Sequence, residues 1–405
     1  MATYEIKNLE QTLASSLRGS HIVSTRFSKL TSAGDNYVGL LLAVDVTTSD
    51  AKNQEQLPLV AKLLPQNEFL QGFFNMQHTF RNEVGFYQTI TPCLRDFQKE
   101  RGLNEVFNST PDFYGARFSL DASSTRVDSD ALLLIKNLKA EGFTIIDRKV
   151  GFDLDQSRLV LDKIAEIHAT SFALKTLKPE IFDEEIGPFV QKFTIFEEFS
   201  SHEKAFCDSI LNLLVNDEVS VKNWAKIENA IKKGVVANCK RNQGGDNRFT
   251  GLVHSDLWTN NIMVKFENGK MVDVKFVDFQ LYEYSSFGRD VIFFLFTSVQ
   301  IQVLKQHCDN LIALYYDSFI NFLGKLSFDT SSFSFEGFLS EFNSLCQEVE
   351  FCHVLVMLRA IYASDENAVE VEEVTPSDFF IWQDSKVCSA RACFIVHEFI
   401  SRGWI

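Results

Sequence analysis

Several common signatures are missing from this chain. Its eight cysteines stand at positions 93, 207, 239, 308, 346, 352, 388 and 393, with no CxxC pair and no histidines at zinc-finger spacing. That argues against a structural zinc module and predicts reduced, mostly buried thiols, as in a cytosolic protein. Basic residues are few: 39 Lys and Arg face 54 Asp and Glu, a formal net charge of −15. So negative a chain is repelled by phosphate backbones and anionic lipids, so neither nucleic acid nor a membrane surface is an expected partner. No apolar run approaches the ~20 residues needed to span a bilayer, and VIFFLF, from Val291 to Phe296, is far too short. The first residues lack a basic-then-apolar signal pattern, which makes the cytoplasm the expected location. Ile6, Leu9, Leu13 and Leu17 instead recur at helical spacing and predict an amphipathic helix lying on the domain. There is no repeat of fixed period and no low-complexity linker.

What is present is a chain of 405 residues, 45% hydrophobic, enough for one large bilobal domain or two ordinary ones. Its 39 Phe are read as packing for a helical core. HIVSTRFSKL, YVGLLLAVDVT and LPLVAKLL are short β-prone runs split by polar turns. A helical segment follows around MQHTFRNEVGFYQTI, and then one more apolar strand, ALLLI. Helical patterns dominate after that. In DQSRLVLDKIAEIHATSFAL, Leu161, Ile164, His168 and Phe172 share a face, with Asp153 or Asp155 as N-cap. The expected class is α+β, a small β-rich N-terminal part followed by a larger helical part.

One stretch interrupts the helices. HSDLWTNN, His254 to Asn261, leads into NIMVKF and MVDVKFV, two β-prone runs joined through Asn268-Gly269, a strong hairpin signal. The hairpin brings Asn261 and Asp278 to the same end, with Asp256 in the loop beside them. Oxygen donors gathered at a strand end suit Mg²⁺, a hard cation that keeps several of its waters. His254-x-Asp256-x-x-x-x-Asn261, followed after a hairpin by Asp278-Phe279-Gln280, is the base-and-metal arrangement of phosphoryl transfer in kinase-like folds.

That chemistry also needs a Lys on an N-terminal strand and a Glu on the next helix to orient it. Lys62 lies inside the apolar strand LPLVAKLL, where a charge needs a reason, and Glu83 falls on the inward stripe of Phe80, Val84 and Tyr87. A carboxylate on such a stripe needs a partner, and Lys62 is the natural one. The turn SAGDNYVG, with Gly34 and Gly39, would cover the nucleotide phosphates. LLLI running into Lys136-Asn137-Leu138 would be the hinge that offers backbone groups to adenine. Asp290, at the start of an apolar helix, is read as holding the catalytic loop's amides, and His168 as a core histidine.

HSDLWTNNIMVKF, FVDFQLYEYSSFGRDVIFFL, FRNEVGFYQTITPCL and IAEIHATSFAL resemble the ecdysteroid kinase-like family, which is related to choline kinases and aminoglycoside phosphotransferases. The similarity runs from about Leu30 to beyond Thr297. It implies a two-lobed protein-kinase-like fold, with residues 1–135 as nucleotide-binding lobe, 136–405 as catalytic and substrate-binding lobe, and 136–139 as hinge. It implies ATP-dependent phosphorylation of a small-molecule hydroxyl by a monomer, on an ecdysteroid or another steroid, toxin or xenobiotic. Carried over by position, Asp256 is the catalytic base, Asn261 and Asp278 hold Mg²⁺, and Lys62 and Glu83 position the phosphates. Gly34, Asn36 and Tyr37 belong to the nucleotide loop, and Lys136 and Leu138 to the hinge.

Three departures stand out. Ser255 replaces the family's usual Gly, Lys136-Asn137 replaces Glu-Asp at the hinge, and Gly39 stands where Asn-Tyr-x-Ser would end. They motivate a second reading, a weakened or inactive kinase fold that only binds its ligand. A third moves the acceptor towards choline or an aminoglycoside. The absence of an HRD arginine, of DFG and of an APE-like segment argues against a protein kinase. Trp258, Phe293 and residues around Trp382 are expected to line the acceptor pocket.

Overall fold

The computed structural model describes residues 4–30, 39–50, 53–190, 203–240, 248–362, 373–375 and 386–405. Gly34, Asn36, Tyr37 and Trp382 lie outside them.

The N-terminal part is an antiparallel five-stranded sheet in the order β1-β2-β3-β5-β4. Its strands are β1 (His21–Lys29), β2 (Leu40–Ser49), β3 (Gln54–Leu63), β4 (Phe113–Arg117) and β5 (Leu132–Lys136). Alternation in β2 and β3 sends Leu42, Val44, Val46, Leu59 and Ala61 inward. Helix α1 (Leu9–Leu17) covers that face with Leu9, Leu13 and Leu17, as the spacing predicts, and with Ile6 completes a small separate core. Gly39 is buried just before β2. A Cβ there would meet the Leu63 carbonyl oxygen at 2.6 Å, so this glycine is required by close strand approach.

Between β3 and β4 run α2 (Glu68–Phe73), α3 (Met76–Gly85) and α4 (Thr91–Glu100), the last two joined by a π turn, Phe86–Ile90. The chain leaves β5 through a 3₁₀ turn, Leu138–Glu141, and enters β6 (Phe143–Ile145) and α5 (Leu154–Leu177). Asp153 caps α5 in a full capping box with Gln156. Among the described residues there follow α6 (Pro179–Ile181), α7 (Glu203–Asn212), α8 (Glu218–Lys222) and α9 (Trp224–Lys240).

The strand-like interruption is real. Strand β7 (Thr250–Val253) leads into the His254–Asn261 loop, then β8 (Ile262–Glu267), β9 (Lys270–Phe276) and β10 (Glu283–Ser286). Strands β6, β8 and β9 form one small sheet, and β7 pairs with β10. Asn268 and Gly269 both take positive φ, 52° and 77°, the turn that Asn-Gly encodes. The described residues that follow carry helices α10 (Gly288–Ser298), α11 (Ile301–Lys325), α12 (Phe335–Leu345), α13 (Phe351–Tyr362) and α14 (Lys386–Ser401). The architecture is α+β and two-lobed, a small antiparallel sheet beside a large helical region.

The Phe-rich reading holds, since Phe287, Phe293, Phe294 and Phe296 of the α10 region are all buried. Phe293 stacks on His353 at 4.2 Å within the core. It therefore packs the helix and does not line an acceptor pocket, contrary to expectation. Among the described cysteines none is disulfide-bonded. No helix among the described residues is long and apolar enough to cross a membrane.

Candidate active site

Lys62 sits near the end of β3, and antiparallel pairing with Leu133 of β5 fixes its position. Glu83 lies in the last turn of α3. The Lys62 ammonium meets the Glu83 carboxylate at 2.6 Å and the Asp278 carboxylate at 2.7 Å. Lys62 and Glu83 are almost fully buried, whereas the Asp278 side chain keeps 21% of its exposure. Burial alone would discharge the ammonium, but Asp278 and Glu83 outweigh it and raise its pKa. Burial raises the Glu83 pKa to about 7, and Lys62 pulls in the opposite direction. One ammonium is thus shared by two carboxylates, and one of them, Asp278, is partly exposed.

Asp278 follows β9 by two residues and takes a left-handed backbone, φ 66° and ψ 56°. Its N–H donates to the Tyr87 hydroxyl at 3.2 Å. Burial holds the Tyr87 pKa well above its usual value, with Glu83 and Asp278 adding to the effect, so the hydroxyl stays neutral. Phe279 stacks on Phe86 with centroids 3.7 Å apart.

The His254–Asn261 loop approaches from the other side. Asn261 ends a 3₁₀ turn just before β8, and its carbonyl accepts from Val277 N–H at 3.0 Å. The hairpin therefore brings Asn261 beside the residue preceding Asp278. The Asn261 amide donates to Asp256 twice, to its carbonyl oxygen and to its carboxylate Oδ2, each at 2.9 Å. That leaves the amide oxygen of Asn261 as the atom able to meet a cation. Asp256 and Asp278 are both half-buried, while most neighbouring loop residues are buried.

Asp290 holds this loop from below. It accepts the His254 N–H at 2.7 Å and the Ser255 N–H at 2.9 Å, and it contacts His168 Nε2 at 3.1 Å. Burial would raise the Asp290 pKa, but His168, His254 and these hydrogen bonds lower it instead. His168 uses its other nitrogen on the Tyr315 hydroxyl at 2.6 Å, in keeping with a core histidine. The His254 Nε2–H donates to the Val277 carbonyl at 2.9 Å, tying the loop to the strand that ends at Asp278. Burial lowers the His254 pKa and keeps the ring neutral.

Ser255 has φ 64°, the region its usual glycine would enter without cost. Its hydroxyl donates to Glu283 Oε1 at 3.1 Å. Glu283 pairs with Arg289, and Arg289 reaches Glu350 at 2.8 Å. Glu283, Arg289 and Tyr87 escaped the sequence reading as parts of the site. Tyr87 carried a usable signal, because it follows Glu83 by four residues and so neighbours it on the helix surface.

At the predicted hinge, the Lys136 and Asn137 N–H groups are spent on Asp112 and Pro58 carbonyls at 2.9 and 3.0 Å. The Lys136 ammonium points to Glu141 at 3.2 Å. Leu138 opens the 3₁₀ turn and packs with Phe143, Met263 and Val277.

Among the described residues no three His, Cys, Asp or Glu gather as a self-contained metal cage. One carboxylate and one amide oxygen instead match a cation that keeps waters and takes its other ligands from phosphates. The donors are hard oxygens, and they fit Mg²⁺.

Solved structures with a similar chain course include the GDP complex of wild-type aminoglycoside 2′-phosphotransferase-IIIa. It is 14% identical, with 82% of this chain and 98% of that one covered, at a TM-score of 0.42. Another is a GDP and kanamycin complex of a related phosphotransferase, also 14% identical, covering 78% and 89% at 0.40. No curated protein matches the sequence. The ecdysteroid kinase-like family matches residues 33–328, most of the chain and a span that includes Lys62, Glu83, Asp256, Asn261 and Asp278, and the protein belongs to that family.

Proposed function

We propose that this chain is an ATP-dependent small-molecule kinase that phosphorylates a hydroxyl of an ecdysteroid or another steroid or xenobiotic. The observation that carries the reading is the buried pair Lys62 and Glu83 joined to the half-buried Asp278, drawn from a strand, a helix and a post-hairpin turn. Such a cluster is costly unless used, since the Lys62 and Glu83 charges are removed from water. Glu83 holds the ammonium at the cleft, where it would meet the nucleotide phosphates. Lys136 and Leu138 flank the adenine, and Gly34, Asn36 and Tyr37 belong to the loop assigned to cover the phosphates. Asp256 orients the acceptor hydroxyl and takes its proton as the oxygen attacks in line. Asn261 and Asp278 would hold Mg²⁺, which when bound neutralises phosphate charge. The family supports the kinase class. The acceptor class rests on the resemblance and on the absence of protein-kinase motifs.

The test is ATP consumption by purified protein with Mg²⁺ across ecdysteroids, other sterols, plant phenolic glycosides, choline and aminoglycosides. Turnover is expected on a steroid or phenolic class. Asp256→Asn should keep ATP affinity and lose about 10²–10⁴-fold in rate, the usual contribution of a general base. Near-normal turnover in that variant would remove Asp256 from its role. Turnover on choline or aminoglycosides alone would overturn the proposed acceptor class, and ATP binding without turnover would favour a ligand-binding role.

A further inference from the structure

Asp278 is gripped from α3 and its π turn in two ways that differ in kind. Its carboxylate is held by Lys62, itself oriented by Glu83. Its backbone N–H is held by the Tyr87 hydroxyl at 3.2 Å, and the Phe279 N–H faces the same oxygen. Under the proposed function the first grip is replaceable, because the Lys62 ammonium turns to nucleotide phosphate. The second uses no atom that substrate needs.

The local backbone supports the second grip. Neighbouring residues on a regular α-helix do not share a face. The π turn Phe86–Ile90 begins at this pair, and such turns inside helices are frequent at functional sites. Both rings reach Phe279: Phe86 stacks at 3.7 Å and Tyr87 meets it edge-on at 5.9 Å. Asp278 itself takes a left-handed conformation, φ 66°, which costs a residue with a Cβ more than it costs glycine, though Asp bears it better than most.

We propose that Tyr87 is a positioning residue for the metal ligand Asp278, its hydroxyl fixing the Asp278 backbone so that the carboxylate stays aimed at the cation after Lys62 has moved to phosphate. This inference rests on the kinase reading, and the experiment separates the two.

Tyr87→Phe removes one oxygen and leaves the ring packing in place. Tyr282→Phe is the matched control. Tyr282 also packs on Phe86, at 5.1 Å, and its hydroxyl has no partner among the described residues. ATP binding is measured by calorimetry for wild type and both variants, without metal and across a Mg²⁺ titration, with the melting temperature of each. The expected result is a Mg²⁺ half-saturation about tenfold higher in Tyr87→Phe alone, as for loss of an outer partner of a metal ligand. Metal-free ATP affinity should be unchanged, and the deficit recovered at high Mg²⁺. Equal Mg²⁺ dependence in Tyr87→Phe and wild type would overturn the role of Tyr87 and leave the kinase reading standing. So would an equal loss with and without metal, or the same shift in Tyr282→Phe, since either reports general loosening of the packing. Wild-type protein that binds no ATP at any Mg²⁺ concentration would overturn the kinase reading, and this inference with it.

Discussion

Ser255 sits where the backbone turns left-handed, between a histidine and the aspartate assigned as base. A side chain at φ 64° costs roughly 1 kcal/mol relative to glycine. The hydroxyl offsets this by donating to buried Glu283. Two substitutions separate the terms. Ser255→Gly loses the hydrogen bond and relieves the strain; Ser255→Ala loses the bond and keeps it. Ser255→Gly should therefore be the more stable of the two in urea unfolding, by up to about 0.5 kcal/mol once glycine's larger unfolded-state entropy is subtracted from the relieved strain. The reverse order would mean that the loop relaxes out of the left-handed region. At this scale the sequence was legible where partners lie close along the chain or on paired strands. The His254–Asn261 spacing, the Asn-Gly hairpin and the Lys62–Glu83 partnership could all be read because strand alternation and helical periodicity set which side chains face each other. Contacts of Ser255 with Glu283 and of Tyr87 with Asp278 could not, because the residues are brought together by packing across separate elements, which no local period encodes. Phe293 shows the converse limit: an apolar residue has the same letter whether it faces a ligand or a core.

Among elements, α10 is one through which the helical region holds the His254–Asn261 loop. Asp290 in its first turn takes two loop amides, and the neighbouring Arg289 links Glu283 to Glu350. At its other end the buried guanidinium of Arg391, from α14, donates to the carbonyls of Phe296 and Val299, where the helix dipole favours a cation. The sequence showed α10 as an apolar run starting with charges. It did not show that both ends are tied down, since Arg391 is about a hundred residues away. Glu350 gives this arrangement a pH dependence. Burial would raise its pKa, but Arg289 and His353 lower it below the usual carboxylate value. A carboxylate depressed in the folded state contributes its full stability above its unfolded pKa, about 4.3, and loses it as pH falls through the folded value. Glu350→Gln should thus cost about 3 kcal/mol at pH 7, where it leaves Arg289 one carboxylate short. The gap to wild type should narrow in denaturant titrations taken from pH 5 down to pH 3. A gap that stays constant through that range would show that Glu350 acts by shape and not by charge.

Among the described residues, the buried apolar side chains fall into one large core, a small one under the N-terminal sheet and a minor cluster of Leu138, Phe143 and Met263. Helices α2 to α4 belong with the large core, although they lie in sequence between strands of the N-terminal sheet. Helix α1 and the inner face of β2 and β3 form the small one. The α+β class and the amphipathic first helix could be read from periodicity, but this division could not, since α3 reads as an ordinary amphipathic helix whichever core it joins. The division has a physical consequence: α3, bearing Glu83 and adjoining Tyr87, packs in the same core as the His254–Asn261 loop, whereas Lys62 stands on a strand whose inner face belongs to the small core. Leu13 tests it, being fully buried in the small core. Leu13→Ala should cost about 2–5 kcal/mol by transfer and cavity terms, and the cost should stay local. Hydrogen exchange read by mass spectrometry should quicken in α1, β1, β2 and β3, while α5 and α11 keep their protection. If protection instead falls equally in α5 and α11, the two cores unfold as one unit, and the sheet could not shift against α3 as a separate body when Lys62 passes from Asp278 to phosphate.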